Sequence, residues 1–215
     1  MNPVTIPLRQ TGPATGAELA GLVAARLCHD LVSPLGAIGN GVELLEMSGE
    51  YSGIANSPEL TLIGESVRAA RARVRLYRMA FGHAPPDQRV AVMEIAQLVH
   101  DYARGARLTI DVEAGGDTSR IEARMLLLSL MCMDTAMPWG GNVAVTREGA
   151  GWRLRGQASR MRAEQGLWQS LDPAGGPHPA PAPSEVHFAM LGTLAAEHGR
   201  PIAWSLDAEG AELSF

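Results

Sequence analysis

Within the run Leu27-Cys28-His29-Asp30-Leu31-Val32-Ser33-Pro34, a histidine, an acid, a hydroxyl and a proline fall inside six residues. A neutral imidazole is abundant near pH 7, because its ordinary pKa is about 6.5. One ring nitrogen then holds a free lone pair while the other donates a hydrogen bond. His29 is therefore a candidate nucleophile, and Asp30 is the candidate to orient it or raise its basicity. Adjacent residues on a helix do not face one another, so the pair needs a rotamer choice or a local distortion to meet. Pro34 offers a distortion. It removes one backbone hydrogen bond and crowds the carbonyl of Asp30, so the helix is expected to bend or loosen one turn past His29.

The element that carries this run is a long apolar-periodic helix, expected from about Ala17 to Met47 and about 45 Å long. Residues three and four apart share a face. The face through His29 runs Arg26, His29, Ser33, Gly36 and Asn40, all polar or small. The neighbouring face runs Leu19, Val23, Leu27, Leu31 (or Asp30), Pro34, Ile38, Val42 and Leu45, which reads as a core stripe. His29 should therefore project outward, with Gly36 leaving room for something to lie against the helix. A second helix begins at Ser57-Pro58-Glu59, with a capping serine, a proline at the first helical position and an acid in the first turn. It runs to about Phe81 and ends near Gly82. Its apolar positions Leu60, Ile63, Val67, Ala70, Val74, Tyr77 and Phe81 alternate spacings of three and four, which is a coiled-coil seam.

Two such helices joined by a short connector, residues 48–53, make an antiparallel hairpin. One hairpin cannot bury both stripes. Two can, as a four-helix bundle, which predicts a homodimer; packing of the hairpin on the chain's own second half is the alternative. The second helix also carries Arg68, Arg71, Arg73, Arg75 and Arg78. Such a run is what a solvated face carries, and it also suits a basic collar that attracts an acidic partner and stabilises a phosphoryl group. Arg71, Arg75 and Arg78 are the candidates beside His29.

The rest of the 215 residues reads as a separate α/β unit. Residues 1–16 form an arm, 17–84 the hairpin, and 88–215 the second domain, with a hinge at His83 to Arg89 around Pro85-Pro86. The expected order is a helix (Val90 to Arg104), a strand (Arg107 to Val112) and a helix (Ser119 to Met137). A turn at Pro138-Trp139-Gly140-Gly141 leads to a hairpin of strands (Asn142 to Thr146, Trp152 to Ala158). A short helix (Arg162 to Leu171) precedes a proline-rich loop, Asp172 to Pro183. A helix (Ser184 to His198) and a terminal hairpin (Pro201 to Leu206, Ala211 to Phe215) close the chain. All four tryptophans lie beyond residue 138, so this half has a core of its own. The fold class is α+β: a helical hairpin followed by an α/β sandwich.

A net charge of −5 argues against a nucleic-acid binder that relies on a basic field. Cys28 and Cys132 lie in apolar helical patterns and read as reduced thiols of a cytoplasmic protein. No signal peptide and no membrane-spanning run is evident, so neither nucleic acid nor membrane is an expected partner.

His29-Asp30-x-x-Ser33-Pro34 resembles the H-[E/D]-x-x-[N/T]-P phosphorylation motif of sensor histidine kinases, with serine in place of the usual Asn or Thr. The run "ARLCHDLVSPLGAIGNGVELLE", with the Pro138 turn and Val186 to Leu206, is closer to the ChpT-type histidine phosphotransferases of alphaproteobacteria. The resemblance implies a dimerisation and phosphotransfer hairpin followed by a degenerate ATPase-like sandwich. The serine implies weakened phosphatase activity. The kinase half of the family needs asparagines on one helix to hold Mg²⁺, a D-x-G-x-G turn and a Gly-rich lid. Here Ser129 and Met133 stand at the two asparagine positions, and a thioether is a poor ligand for a hard cation. No D-x-G-x-G occurs, and Gly175-Gly176 lies outside any phosphate-binding pattern. Asp134 reads as a helix-end charge and not a metal ligand.

The expectation is therefore a phosphotransferase without cofactor or metal of its own. His29 takes a phosphoryl group from the receiver aspartate of a hybrid histidine kinase and passes it to response regulators, with Mg²⁺ supplied by the receiver. Arg26, one turn before His29, would counter phosphoryl charge. A receiver-binding dimer that takes no phosphoryl group and an active kinase are the alternatives.

Overall fold

The computed structural model describes residues 16–47, 57–82, 87–104, 107–172 and 181–215. Residues 1–15 of the expected arm, the connector, the hinge at residues 83–86 and residues 173–180 of the proline-rich loop lie outside them. Helix α1 spans Gly16–Met47 and runs unbroken through Pro34. The loosening expected there takes the form of one missing hydrogen bond to the Asp30 carbonyl, not a break. Helix α2 spans Pro58–Phe81. Its start is the one the sequence announces: Ser57 Oγ accepts the Leu60 N–H at 3.1 Å, which satisfies one of the orphan donors of the first turn.

The two helices pack antiparallel through small residues. A Cβ built on Gly39 would lie 3.5 Å from Val67 Cγ1, and one on Gly64 would lie 3.4 Å from Val42 Cγ1. Near the other end, one on Gly21 would lie 3.5 Å from the Phe81 carbonyl. The buried seam is Cys28, Gly39 and Val42 against Leu60, Gly64, Val67 and Val74. This corrects the core stripe read from the sequence. Leu27, Leu31, Ile38 and Leu45 are exposed in the single chain, and so is Ile63 of α2. Of the stripe, Val42 is in the seam, the side chains of Leu19 and Val23 are outside the described residues, and Leu27, Leu31, Ile38 and Leu45 lie beside it, because the glycines let the backbones approach along the adjoining face.

After α2 comes β1, Arg89–Ala91, where a helix was expected to begin, and then α3, Val92–Ala103. Strand β2 spans Leu108–Glu113. Strand β3, Asp117–Ser119, pairs antiparallel with β1. Helix α4, Arg120–Ala136, begins with a reciprocal cap between Ser119 and Glu122. Strands β4 (Gly141–Glu148) and β5 (Gly151–Gln157) form a hairpin. Helix α5 is Gln165–Gln169 and α6 is Val186–Glu197, after a 3-10 turn at Pro183–Glu185. Strands β6 (Ala203–Leu206) and β7 (Gly210–Ser214) end the chain. The main sheet has the order β2-β4-β5-β7-β6, with β2 and β4 parallel and the other neighbours antiparallel.

Helix α4 is the hub. Met125 to Leu130 are all buried, which no amphipathic surface helix achieves, because α4 packs on the sheet and also on α2 and α6. Trp152 and Trp168 fill the core, and Trp204 packs against it. Trp139 alone among the tryptophans is exposed, with the Arg160 guanidinium stacked 3.8 Å from its ring centre. Leu76 and Ala80 of α2 belong to the same core cluster. The last carbonyls of α2, which no helix can satisfy internally, receive Arg120 Nη1 at Met79 (2.9 Å) and Arg124 Nε at Ala80 (2.8 Å). Both cysteines are free and buried. Among the described residues no helix is long and apolar enough to cross a membrane.

Candidate functional site

His29 projects from α1 with 79% of its side chain exposed. Its Nδ1 lies 3.2 Å from Asp30 Oδ1, and Asp30 Oδ2 accepts Arg26 Nε at 2.7 Å. The neighbours that an ideal helix turns apart therefore meet through their side chains. Both are exposed, so no packing forbids the rotamers that bring them together. The hydrogen bond from His29, and then that from Arg26, hold the Asp30 carboxyl below the usual carboxylate range. With its proton on Nδ1 the ring donates to Asp30 and leaves the Nε2 lone pair facing solvent.

The other residues of that face lie as the wheel placed them. Ser33 and Asn40 are exposed, and a Cβ on Gly36 would meet nothing within 4 Å. The arginines of α2 divide. Arg78 approaches the turn that holds His29: burial pushes the Cys28 thiol up, and Arg78 works against it. Arg71 lies over Gly39 in the seam, 3.1 Å from where a Cβ would stand. Arg71 and Arg75 line a groove of about 740 Å³ with Arg68, Arg104, Glu43, Glu65 and Asp101. Arg104 and Asp101 come from the end of α3, and no sequence pattern around residue 104 links it to the α2 arginines.

In the sandwich, the two positions aligned with metal-binding asparagines are core. Ser129 is fully buried and its Oγ donates to the Met125 carbonyl at 2.9 Å. Met133 is fully buried, its Sδ 3.2 Å from where a Cβ on Gly156 would stand. Asp134 is not merely a helix-end charge. It accepts the Tyr102 hydroxyl at 2.5 Å and ties α4 to α3. Burial, then the Asp134 charge, pushes the Tyr102 phenol well up. His187 of α6 is buried with Nε2 3.1 Å from Thr135 Oγ1, and burial pushes it down to about 4.

Comparison with known proteins finds relatives of this chain. Residues 92–210 match the family described as histidine phosphotransferase C-terminal domain. Protein phosphotransferase ChpT of Brucella abortus (strain 2308) is 33% identical over 135 residues, 62% of this chain. The match spans 62% of that relative's length. A solved structure described as a bacterial phosphotransferase superposes with a TM-score of 0.67 at 25% identity, covering 94% of this chain and 98% of that one.

Proposed function

Because this chain belongs to the histidine phosphotransferase family, we propose that it is a phosphorelay transferase whose phosphoryl carrier is His29. The observation that carries the reading is an imidazole 79% exposed with a carboxylate at its Nδ1. Each transfer is an in-line displacement. The Nε2 lone pair attacks phosphorus, the N–P bond forms, and the bond from phosphorus to the receiver's aspartyl oxygen breaks, returning the electron pair to that carboxylate. Asp30 holds the Nδ1 proton throughout. The second transfer reverses these events on another receiver. The aspartyl phosphate is a mixed anhydride and the phosphohistidine a P–N compound, both labile, so the phosphoryl group moves either way.

The donor in this reading is the receiver domain of a hybrid histidine kinase, and the acceptors are response regulators. Mg²⁺ comes with the receiver. The chain contributes position and electrostatics: Ser33, Gly36 and Asn40 form the open face, and Arg78, Arg75 and Arg71 supply positive charge along it. Nucleotide is not expected to bind, since buried Ser129 and Met133 replace the oxygen ligands that a hard cation takes. The exposed stripe of Leu27, Leu31, Ile38 and Leu45 supports a homodimer in which two hairpins make a four-helix bundle.

The test is incubation with a phosphorylated receiver. Label should appear on this chain and vanish in His29→Gln; label that survives in the variant removes His29 from the mechanism. Receiver binding without any transfer by the wild type would favour the inhibitory dimer, and tight ATP binding by calorimetry would favour a kinase.

A further inference from the structure

Both oxygens of the Asp30 carboxylate are engaged, one by His29 Nδ1 and the other by Arg26 Nε. The Arg26 contact is the shorter, 2.7 Å against 3.2 Å. Stability does not account for it. Both side chains are substantially exposed, and surface pairs of this kind contribute little. The order is also the less favourable one on a helix, with the base four residues before the acid. What the pair does achieve is geometric. Asp30 is turned about a hundred degrees from His29 around the helix axis. A free carboxylate there would spread over its staggered rotamers and face water. Arg26 lies on the same face as His29, one turn earlier, and holds Oδ2 on that side, which presents Oδ1 to the ring.

We propose that Arg26 is a positioning residue for phosphoryl transfer: by holding Asp30 Oδ2 it keeps Oδ1 on His29 Nδ1, so that Nε2 is the nitrogen left to attack. This rests on the reading of His29 as the phosphoryl carrier. It assigns Arg26 a different task from countering phosphoryl charge or contacting a receiver.

Phosphoramidate separates these tasks, because it is too small to dock as a receiver does. Nε2 attacks its phosphorus, the N–P bond to His29 forms, and the bond to the amino group breaks with ammonia as leaving group. Full-length wild type, Arg26→Gln, Arg26→Lys, Asp30→Asn and the double variant Arg26→Gln/Asp30→Asn are compared. Uptake is followed by ³¹P NMR, and the tautomer of His29 by ¹⁵N NMR. Arg26→Gln should slow uptake roughly tenfold, the low end of what losing the outer partner of a metal-bound histidine costs, and should raise the Nε2–H tautomer. Arg26→Lys should recover part of the rate. In the Asp30→Asn background, Arg26→Gln should add less than about twofold, because one path is removed twice.

An unchanged rate and tautomer in Arg26→Gln overturns the proposal. So does an equal slowing in the Asp30→Asn background, which would make Arg26 act directly on the phosphoryl group. A loss seen only with a phosphorylated receiver would make it a docking residue and also overturns it. Wild type that takes no label on His29 from either donor overturns the carrier reading itself, and is told apart from the other outcomes by the wild type alone.

Discussion

Gly39 of α1 lies directly beneath the Arg71 guanidinium of α2: a Cβ there would stand 3.1 Å from Nη1 and 3.5 Å from Val67 Cγ1. One turn earlier, a Cβ on Gly36 would meet nothing within 4 Å. The two glycines, three residues apart, therefore have different jobs. Gly39 lets the helices close; Gly36 clears the face beside His29. Gly39→Leu should cost about 1–3 kcal/mol by overpacking the seam. Gly36→Leu should leave stability unchanged or slightly raised, since any ordinary residue suits a helix interior better than glycine. Urea unfolding measures both. Gly36→Leu should still slow transfer from a receiver while leaving uptake from phosphoramidate intact.

The exposed stripe of α1 makes a second expectation. Leu31 and Ile38 are each 50% exposed in the single chain, so completing the burial of each contributes half of the ~1.5–3 kcal/mol that full burial gives. Sedimentation equilibrium should show a dimer for the wild type and a monomer for Leu31→Glu/Ile38→Glu. A monomeric wild type at micromolar concentration would remove the four-helix bundle.

His187 makes stability depend on pH. In the folded chain burial keeps the ring neutral until about pH 4, whereas an unfolded chain protonates it near 6.5. Between those values the unfolded state binds more protons, so stability falls as pH drops from about 6.5 to 4 and is fully present above that window. The loss across it is about 3 kcal/mol from this residue. Denaturant melts at pH 7 and pH 4.5 should show a smaller difference in His187→Gln than in the wild type.

Tyr102→Phe removes the donor that Asp134 accepts at 2.5 Å and keeps the ring that fills the core. The expected cost is about 1–3 kcal/mol, typical of a hydrogen bond to a charged group. Thermal unfolding checks it. No change would mean that water replaces the hydroxyl at Asp134.

What the sequence revealed follows from how local each signal is. The start of α2 is written in Ser57-Pro58-Glu59, and the outward aim of His29 in the small and polar residues at helical spacing around it. The short β1–β3 pair is not written anywhere local: three residues at 89–91 pair with three at 117–119, too few for a period-two pattern. The apolar stripe was visible but its depth was not, because a helical pattern fixes which residues share a face and not which side a neighbour covers. The His29–Asp30 contact depends on rotamers, which a wheel does not contain. The partner of Asp134 comes from another helix, as does Arg104 in the arginine groove.

The C-terminal end of α2 has a consequence for how the chain comes apart. Leu76 and Ala80 lie in the sandwich's core, and Arg120 and Arg124 hold the carbonyls at Met79 and Ala80. The second helix thus ends inside the core that the sheet and α4 share, and is not merely tethered to it. Calorimetry should record one cooperative melting event for the whole protein. A fragment ending before residue 88 would lose the foundation of the helix that packs against the one carrying His29, so its silence in a transfer assay would report fraying and not a missing partner contact.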